Sequence, residues 1–240
     1  MRIYGIHPVV EALRANRVTA LRVSPRADDR LTEIVRLAEQ RGVPVRRAPA
    51  NELDRFAHGG AHQGVVADIR EAAPTSVEDL VVGAAGTPLL VVLDGIEDPH
   101  NVGAILRTVD AAGAHGVVRQ SRHAARLDGA AAKASAGAVS HVRVADVVNI
   151  ARALEVLKDA GVWTIGFAGD AAKRYDEVDY TLPTAIVLGA EGTGLRRLVR
   201  ERCDWLVSVP IRGHVQSLNV SVTAGIALFE ALRQRKSAGR

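Results

Sequence analysis

The pattern of apolar and polar positions changes character near residue 70. Before that point, short apolar runs alternate with stretches at helical spacing. Pro8 sits near the start of a helix that puts Val9, Val10 and Leu13 on one face. Leu31, Ile34, Val35 and Ala38 mark a second helix, from about Asp28 to Arg41, which Gly42 stops. Strands are expected at residues 20–23, 43–45 and 65–69, with Asn51 capping a short helix through Phe56. A small α/β domain over residues 1–70 follows from this pattern. Residues 71–88, EAAPTSVEDLVVGAAGTP, gather Pro, Gly, Thr and Ser, which marks a linker with one helical turn at 77–82.

From residue 89 to 240, continuous apolar runs alternate with amphipathic segments, the signature of a parallel sheet covered on both faces. Strands are expected at 89–93, 116–118, 142–144, 163–167, 186–188 and 205–209. Helices fall near 102–112, 129–134, 147–160, 195–202 and 220–235, and the polar tail 232–240 is expected to fray.

Three segments break the pattern, and each follows a strand, where such sheets place their ligands. The first, 93–113, crowds Asp94, Glu97, Asp98, His100 and Asn101 into one loop, with Arg107 one to two turns into the helix. Asn101 and Gly103 serve equally as a helix start, and Arg107 as a partner of Asp110 or Asp94. The second, 186–198, sets Gly189, Gly192 and Gly194 between a strand and a helix. That spacing fits neither a dinucleotide fingerprint nor a phosphate loop, which needs Gly-Lys-Ser/Thr. Glu191 inside it would repel an anion, so a tight turn and a ligand wall both remain open. The third, 209–225, turns through Pro210 and Gly213 and gathers Gln216, Ser217, Asn219 and Ser221 before a helix. Ser217 or Asn219 can cap that helix or line a site that uses the same free N–H groups.

Composition narrows the class. With 240 residues, 48% of them hydrophobic, the chain can fill one large domain or two small ones. No apolar run approaches the roughly 20 residues needed to span a bilayer, and the start lacks the regions of a signal peptide. Cys203 is the only cysteine, which excludes a disulfide within the chain and a cysteine-based metal site. A cytoplasmic protein without metal or membrane is expected. The net charge of +4 rests on 27 Arg against 4 Lys; codon bias in a GC-rich genome and phosphate recognition by guanidinium groups both account for it. Aromatics are only 3%, so base stacking is not the expected mode of nucleic-acid binding.

The segments DPHNVGAILRTVDAAGAHGV, IVLGAEGTGL and VPIRGHVQSLNVSVTAGIALFEALR are similar to the three motifs of the SpoU branch of the SPOUT RNA methyltransferases. IYGIHPVVEAL, HQGVVA and KASAGAVSHVRV resemble the ribosomal RNA ribose methyltransferases of that branch, so the likeness covers almost the whole chain. It implies a C-terminal domain with a deep trefoil knot that binds S-adenosylmethionine, a homodimer, and an N-terminal RNA-binding domain. The reaction implied is methyl transfer to a ribose 2′-hydroxyl of ribosomal RNA, most similar to enzymes acting on a guanosine in the P-loop of large-subunit (23S) RNA. Carried over by motif, Asn101, Arg107, Glu191, Ser217 and Asn219 become the catalytic polar set. Leu188, Gly189, Gly192, Ile211, Leu218 and Asn219 become the cofactor contacts, largely through backbone. Ile211 stands where many relatives have Met, and Arg119 where many have Pro. Alternatives are an antibiotic-resistance methyltransferase acting at another nucleotide and a ribosome-assembly factor without catalysis.

Overall fold

Two sheets organise the chain, which the computed structural model describes over residues 1–26, 29–122 and 124–238. The chain folds into two compact units. One holds Met1–Ala73 with Val102–Arg107 and Arg126–His141, and the other holds Pro74–Asn101, Thr108–Ala125 and Val142–Arg240.

The first unit begins β1 (Arg2–Tyr4), α1 (Ile6–Arg14), β2 (Val18–Val23), α2 (Asp29–Gln40), β3 (Val45–Arg47), α3 (Ala50–Phe56) and β4 (Val65–Ile69). Its sheet has the order β1-β4-β2-β3, with β4 antiparallel to both neighbours and β2 parallel to β3. The apolar stripe of α1 buries Pro8, Val9, Ala12 and Leu13. Gly5, at φ 92, opens that helix without a side-chain cap of its own. Gln63 supplies one, its Oε1 accepting from Ile6 N–H at 3.0 Å, which explains the HQG stretch structurally. β3 lies two residues beyond the expected 43–45, because Pro44 has no N–H to offer a ladder. Its carbonyl instead accepts from Leu21 N–H at 2.9 Å. Asn51 does not cap α3: the helix starts one residue earlier, behind Pro49, whose φ of −67 already suits a helix start. The expected start of α2 at Asp28 lies outside the described residues. β1 had no sequence signal, since three residues become a strand only when β4 is beside them.

The second unit continues with α4 (Val77–Val82), β5 (Leu89–Asp94), α5 (Pro99–Ala111), β6 (Gly116–Gln120), α6 (Gly129–Ala134), β7 (Val144–Val147), α7 (Ile150–Asp159), β8 (Trp163–Phe167), β9 (Lys173–Arg174), β10 (Thr184–Gly189), α8 (Arg197–Arg202), β11 (Trp205–Ser208) and α9 (Val220–Ala238). Of these, α6 and the middle of α5 belong with the first unit. All seven strands run parallel, in the order β7-β6-β5-β10-β8-β11-β9. Every residue of β5 is buried, as continuous apolar runs in parallel sheets require. A core of Leu90, Val92, Val118, Leu154, Leu157 and Val187 fills one side.

The helical turn at α4 forms where expected, because Ser76 and Asp79 make a reciprocal capping box. Four boundaries move for local reasons. α5 starts at Pro99 rather than 102, since Asp98 accepts from the N–H groups of His100 and Asn101. β7 runs over Val144–Val147 rather than 142–144, in register with Val117–Gln120. The next helix therefore starts late, at Ile150, where Asn149 accepts from Arg152 N–H at 3.2 Å. α8 starts at Arg197 rather than 195, because Arg196 N–H is held by Asp94 at 2.8 Å. The tail does not fray over 232–238. Arg235 donates to the carbonyls of Tyr180 (2.8 Å) and Pro88 (2.8 Å), which fastens the last turns of α9; Gly239 and Arg240 lie outside the described residues.

Candidate active site

β10, β8 and β11 are neighbours in the sheet, and their carboxyl ends open into a cleft of about 530 Å³. That volume lies within the usual range for small-molecule sites, roughly 300–1,000 Å³. One wall is the glycine loop 189–195, whose shape is set by backbone sterics. Gly192 (φ 80) and Gly194 (φ 67) take left-handed conformations, and Gly194 N–H donates to Ala190 C=O at 2.8 Å. A Cβ on Gly189 would sit 2.2 Å from the carbonyl carbon of Gly194, so only glycine closes this turn. Fully buried Asp94, at the end of β5, braces the loop by accepting from Arg196 N–H at 2.8 Å and Nε–H at 2.7 Å. The loop is both a tight turn and a wall.

The second feature is a polar joint at the start of α9. Asn219 Nδ2 donates to Asn101 Oδ1 at 3.0 Å and to Glu191 Oε1 at 2.5 Å. Asn219 Oδ1 accepts from Ser221 N–H at 2.9 Å and from the Ser221 hydroxyl at 2.5 Å. Glu191 Oε1 also faces Val220 N–H at 3.4 Å. A carboxylate at this helix N-terminus meets the positive end of the helix dipole, which explains an acid inside a glycine loop. Asn101, Glu191 and Asn219, drawn from the three irregular segments, thus form one hydrogen-bonded unit.

Leu188, Gly189, Glu191, Gly192, Ile211, Ser217 and Leu218 all line the cleft. Asn101 and Asn219 brace it from behind through Glu191. Arg107 lies on α5 six residues after Asn101, exposed, about 120° around the helix from it. Neither expected partner holds it: Asp94 belongs to Arg196, and no ion pair among the described residues joins Arg107 to Asp110.

Sequence reading missed the wall in the middle. Phe167 ends β8, the strand between β10 and β11, Ala168, Gly169 and Asp170 follow it, and all four line the cleft. The rule that picked out the other loops, polar or glycine residues directly after a strand, applies to Ala168–Asp170 as well. Asp170 is held by Arg200 of α8 through two bonds of 2.8 and 2.9 Å. This guanidinium keeps the Asp170 carboxyl below the usual carboxylate range.

The cleft suits a partly apolar ligand that carries no phosphate. Its charged lining residues are Asp170, Glu191 and Arg200, set among Leu188, Leu195 and Ile211. S-adenosylmethionine, with a sulfonium centre and an adenosine body, fits that description. Among the described residues no group of His, Cys, Asp and Glu is placed to hold a metal ion, and no helix is long and apolar enough to cross a membrane.

The chain is similar to known proteins over nearly its whole length. The profile of the SpoU rRNA Methylase family matches residues 88–229, and that of RNA 2′-O ribose methyltransferase substrate binding matches residues 2–75. The chain is 44% identical over 242 residues to the 23S rRNA (guanosine-2′-O-)-methyltransferase RlmB of Pseudomonas syringae pv. tomato, covering 98% of this chain and 96% of that protein. It is 46% identical over 237 residues to the protein of the same name from a Burkholderia species, covering 97% and 96%. The crystal structure of the SpoU methyltransferase AviRb from Streptomyces viridochromogenes in complex with AdoMet matches with a TM-score of 0.83 at 26% identity, over 99% of this chain and 91% of that one.

Proposed function

The chain belongs to the SpoU rRNA Methylase family, and from that premise we infer that it methylates a guanosine ribose 2′-hydroxyl in 23S ribosomal RNA, with S-adenosylmethionine as donor. The observation that carries this reading is the joint of Asn101, Glu191 and Asn219 beside a cleft of cofactor size.

S-adenosylmethionine supplies a methyl group already activated by its sulfonium. The protein's task is to align a poor nucleophile with it and remove one proton. Backbone groups of Leu188, Gly189, Gly192, Ile211 and Leu218 hold the donor. Asn219 and Glu191 fix the start of α9 and so fix Leu218 and the exposed Ser217 hydroxyl, which faces the target ribose. Arg107 clamps the phosphate next to that ribose with its fork of donors and polarises the 2′-hydroxyl. A guanidinium does not readily give up its proton, so the hydroxyl proton leaves through the phosphate or through water.

In the same reading, residues 1–70 bind the substrate RNA and 89–240 carry a knotted methyltransferase domain that works in the cytoplasm as a homodimer. Residues 74–88, with Val77 and Leu80 in the core, pack with the second unit rather than form a free link. The match of the substrate-binding profile to residues 2–75 supports the first assignment. For the dimer, α9 supports it: Val222 is 50% exposed and Phe229 51%, on the face opposite its buried Ala224, Ala227 and Leu228. A helix apolar all round is normally covered all round.

Mapping of ribose methylation after incubating purified protein with total RNA and S-adenosylmethionine tests the function. A single new mark on a 23S guanosine is expected. A mark on another nucleotide would assign the chain to the resistance type, and no mark despite cofactor binding would make it an assembly factor.

A further inference from the structure

We propose that the Asp170 carboxylate, held in place by Arg200, is the acceptor for the ribose hydroxyls of the methyl donor's adenosine, and that it sets the cleft's preference for a ribonucleoside. This rests on the reading of the cleft as the cofactor site.

Three charged side chains line the cleft, and their commitments differ. Glu191 is taken up by Asn219 and the first turn of α9. Arg200 donates through both terminal nitrogens, NH1 to Oδ1 and NH2 to Oδ2 of Asp170. That two-pronged contact uses one lone pair on each carboxylate oxygen and leaves the other on each. The Asp170 side chain is 70% exposed, so the remaining lone pairs are open. Beside it, an added Cβ on Gly169 would meet nothing within 4 Å, so a ligand has room to approach.

The pairing selects the chemistry. Carboxylate and guanidinium together carry no net charge, which removes most of the attraction for an ammonium or a sulfonium. The acceptor capacity remains, ionised and fixed in direction. A neutral vicinal diol offers two donors to such a pair of oxygens. Asp170 also stands in the loop just beyond β8, the strand between the two that carry the other walls. It is therefore a specificity-determining contact, and Arg200 a positioning residue that acts through it.

Calorimetry on the full chain tests this with S-adenosylhomocysteine, its 3′-deoxy analogue and 5′-methylthioadenosine. The unmodified chain should bind the ribose form about tenfold tighter than the deoxy form, and Asp170→Asn should lose that tenfold and the preference with it. Arg200→Gln should lose part of both. Methylthioadenosine keeps the ribose and lacks the amino-acid end, so Asp170→Asn should weaken it by the same factor. Unchanged affinity in Asp170→Asn, a preserved ribose preference, or weakening confined to ligands with the amino-acid end would each overturn the proposal alone. Failure of the unmodified chain to bind any of the three would overturn the cofactor reading as well. Thermal unfolding of ligand-free Asp170→Asn, expected to match the unmodified chain, excludes misfolding as the cause.

Discussion

At the scale of single residues, Asn219 is the side chain with no capacity to spare. Its two amide protons go to Asn101 and Glu191, and its oxygen takes two donors from Ser221. These bonds make it a joint between three segments, and its chemistry predicts how it fails. Asn219→Asp keeps the oxygen that caps α9 but turns a second carboxylate toward Glu191. Methyl transfer should fall at least about tenfold, with a stability loss of about 1–3 kcal/mol. Methylation kinetics beside denaturant unfolding check this, and near-normal turnover would mean the joint does not matter. Arg107 is the opposite case, exposed and free of ion pairs among the described residues. Arg107→Ala and Arg107→Lys should both abolish methyl transfer while leaving donor affinity unchanged by calorimetry. Activity retained in Arg107→Lys would show that a point charge suffices and that the fork is irrelevant.

At the scale of elements, the loop 189–195 is a turn whose closure builds the cleft. Gly189→Ala puts a Cβ 2.2 Å from the backbone of Gly194. The loop must open, so donor affinity should drop by at least about tenfold, with a stability cost of about 1–3 kcal/mol. An unaltered affinity would mean that the loop does not contact the donor. In the first unit, Asp68 of β4 ties β1 to β2 by accepting from Arg2 at 2.9 Å and Arg22 at 2.5 Å, and both guanidiniums lie over Phe56. Arg22 is thus committed to the sheet, while Arg46, 68% exposed beside Glu52, stays accessible to RNA. Burial pushes the Asp68 carboxyl up, but the two arginines outweigh it and hold it below its ordinary 3.8. A carboxyl depressed in the folded state stabilises above its unfolded pKa and loses that contribution as pH falls through the folded one. Asp68→Asn should therefore destabilise the protein at pH 7, and by less at a pH well below the ordinary carboxylate value. Unfolding curves at the two pH values measure it, and an equal loss at both would assign the effect to packing.

At the scale of the whole molecule, the question is what covers α9. The helix buries Val220, Ala224, Ala227, Leu228 and Ala231 on one side and leaves Val222 and Phe229 half exposed on the other. If a second copy covers that side, Phe229→Glu should yield monomers in analytical ultracentrifugation and lower methyl transfer with them. A variant that remains dimeric would place the interface elsewhere.

Local sequence was enough to specify the two α/β regions, the parallel sheet, the capping box before Val77 and the loops that hold Glu191, Ser217 and Asn219. Period, turn chemistry and polar residues after strands are all written within a few neighbours. Which loops meet is settled by the closed fold alone. Asn101 and Asn219 stand 118 residues apart, and their bond exists because the strand order brings their helices together. Strand order also places β8 between β10 and β11, which turns Ala168–Asp170 into the central wall of the cleft. The same holds for β1, and for the last turns of α9, where Arg235 finds carbonyls 55 and 147 residues away. A pairing across such distances is selected by the energy of the closed fold, and leaves no mark in the hydrophobic period of either partner.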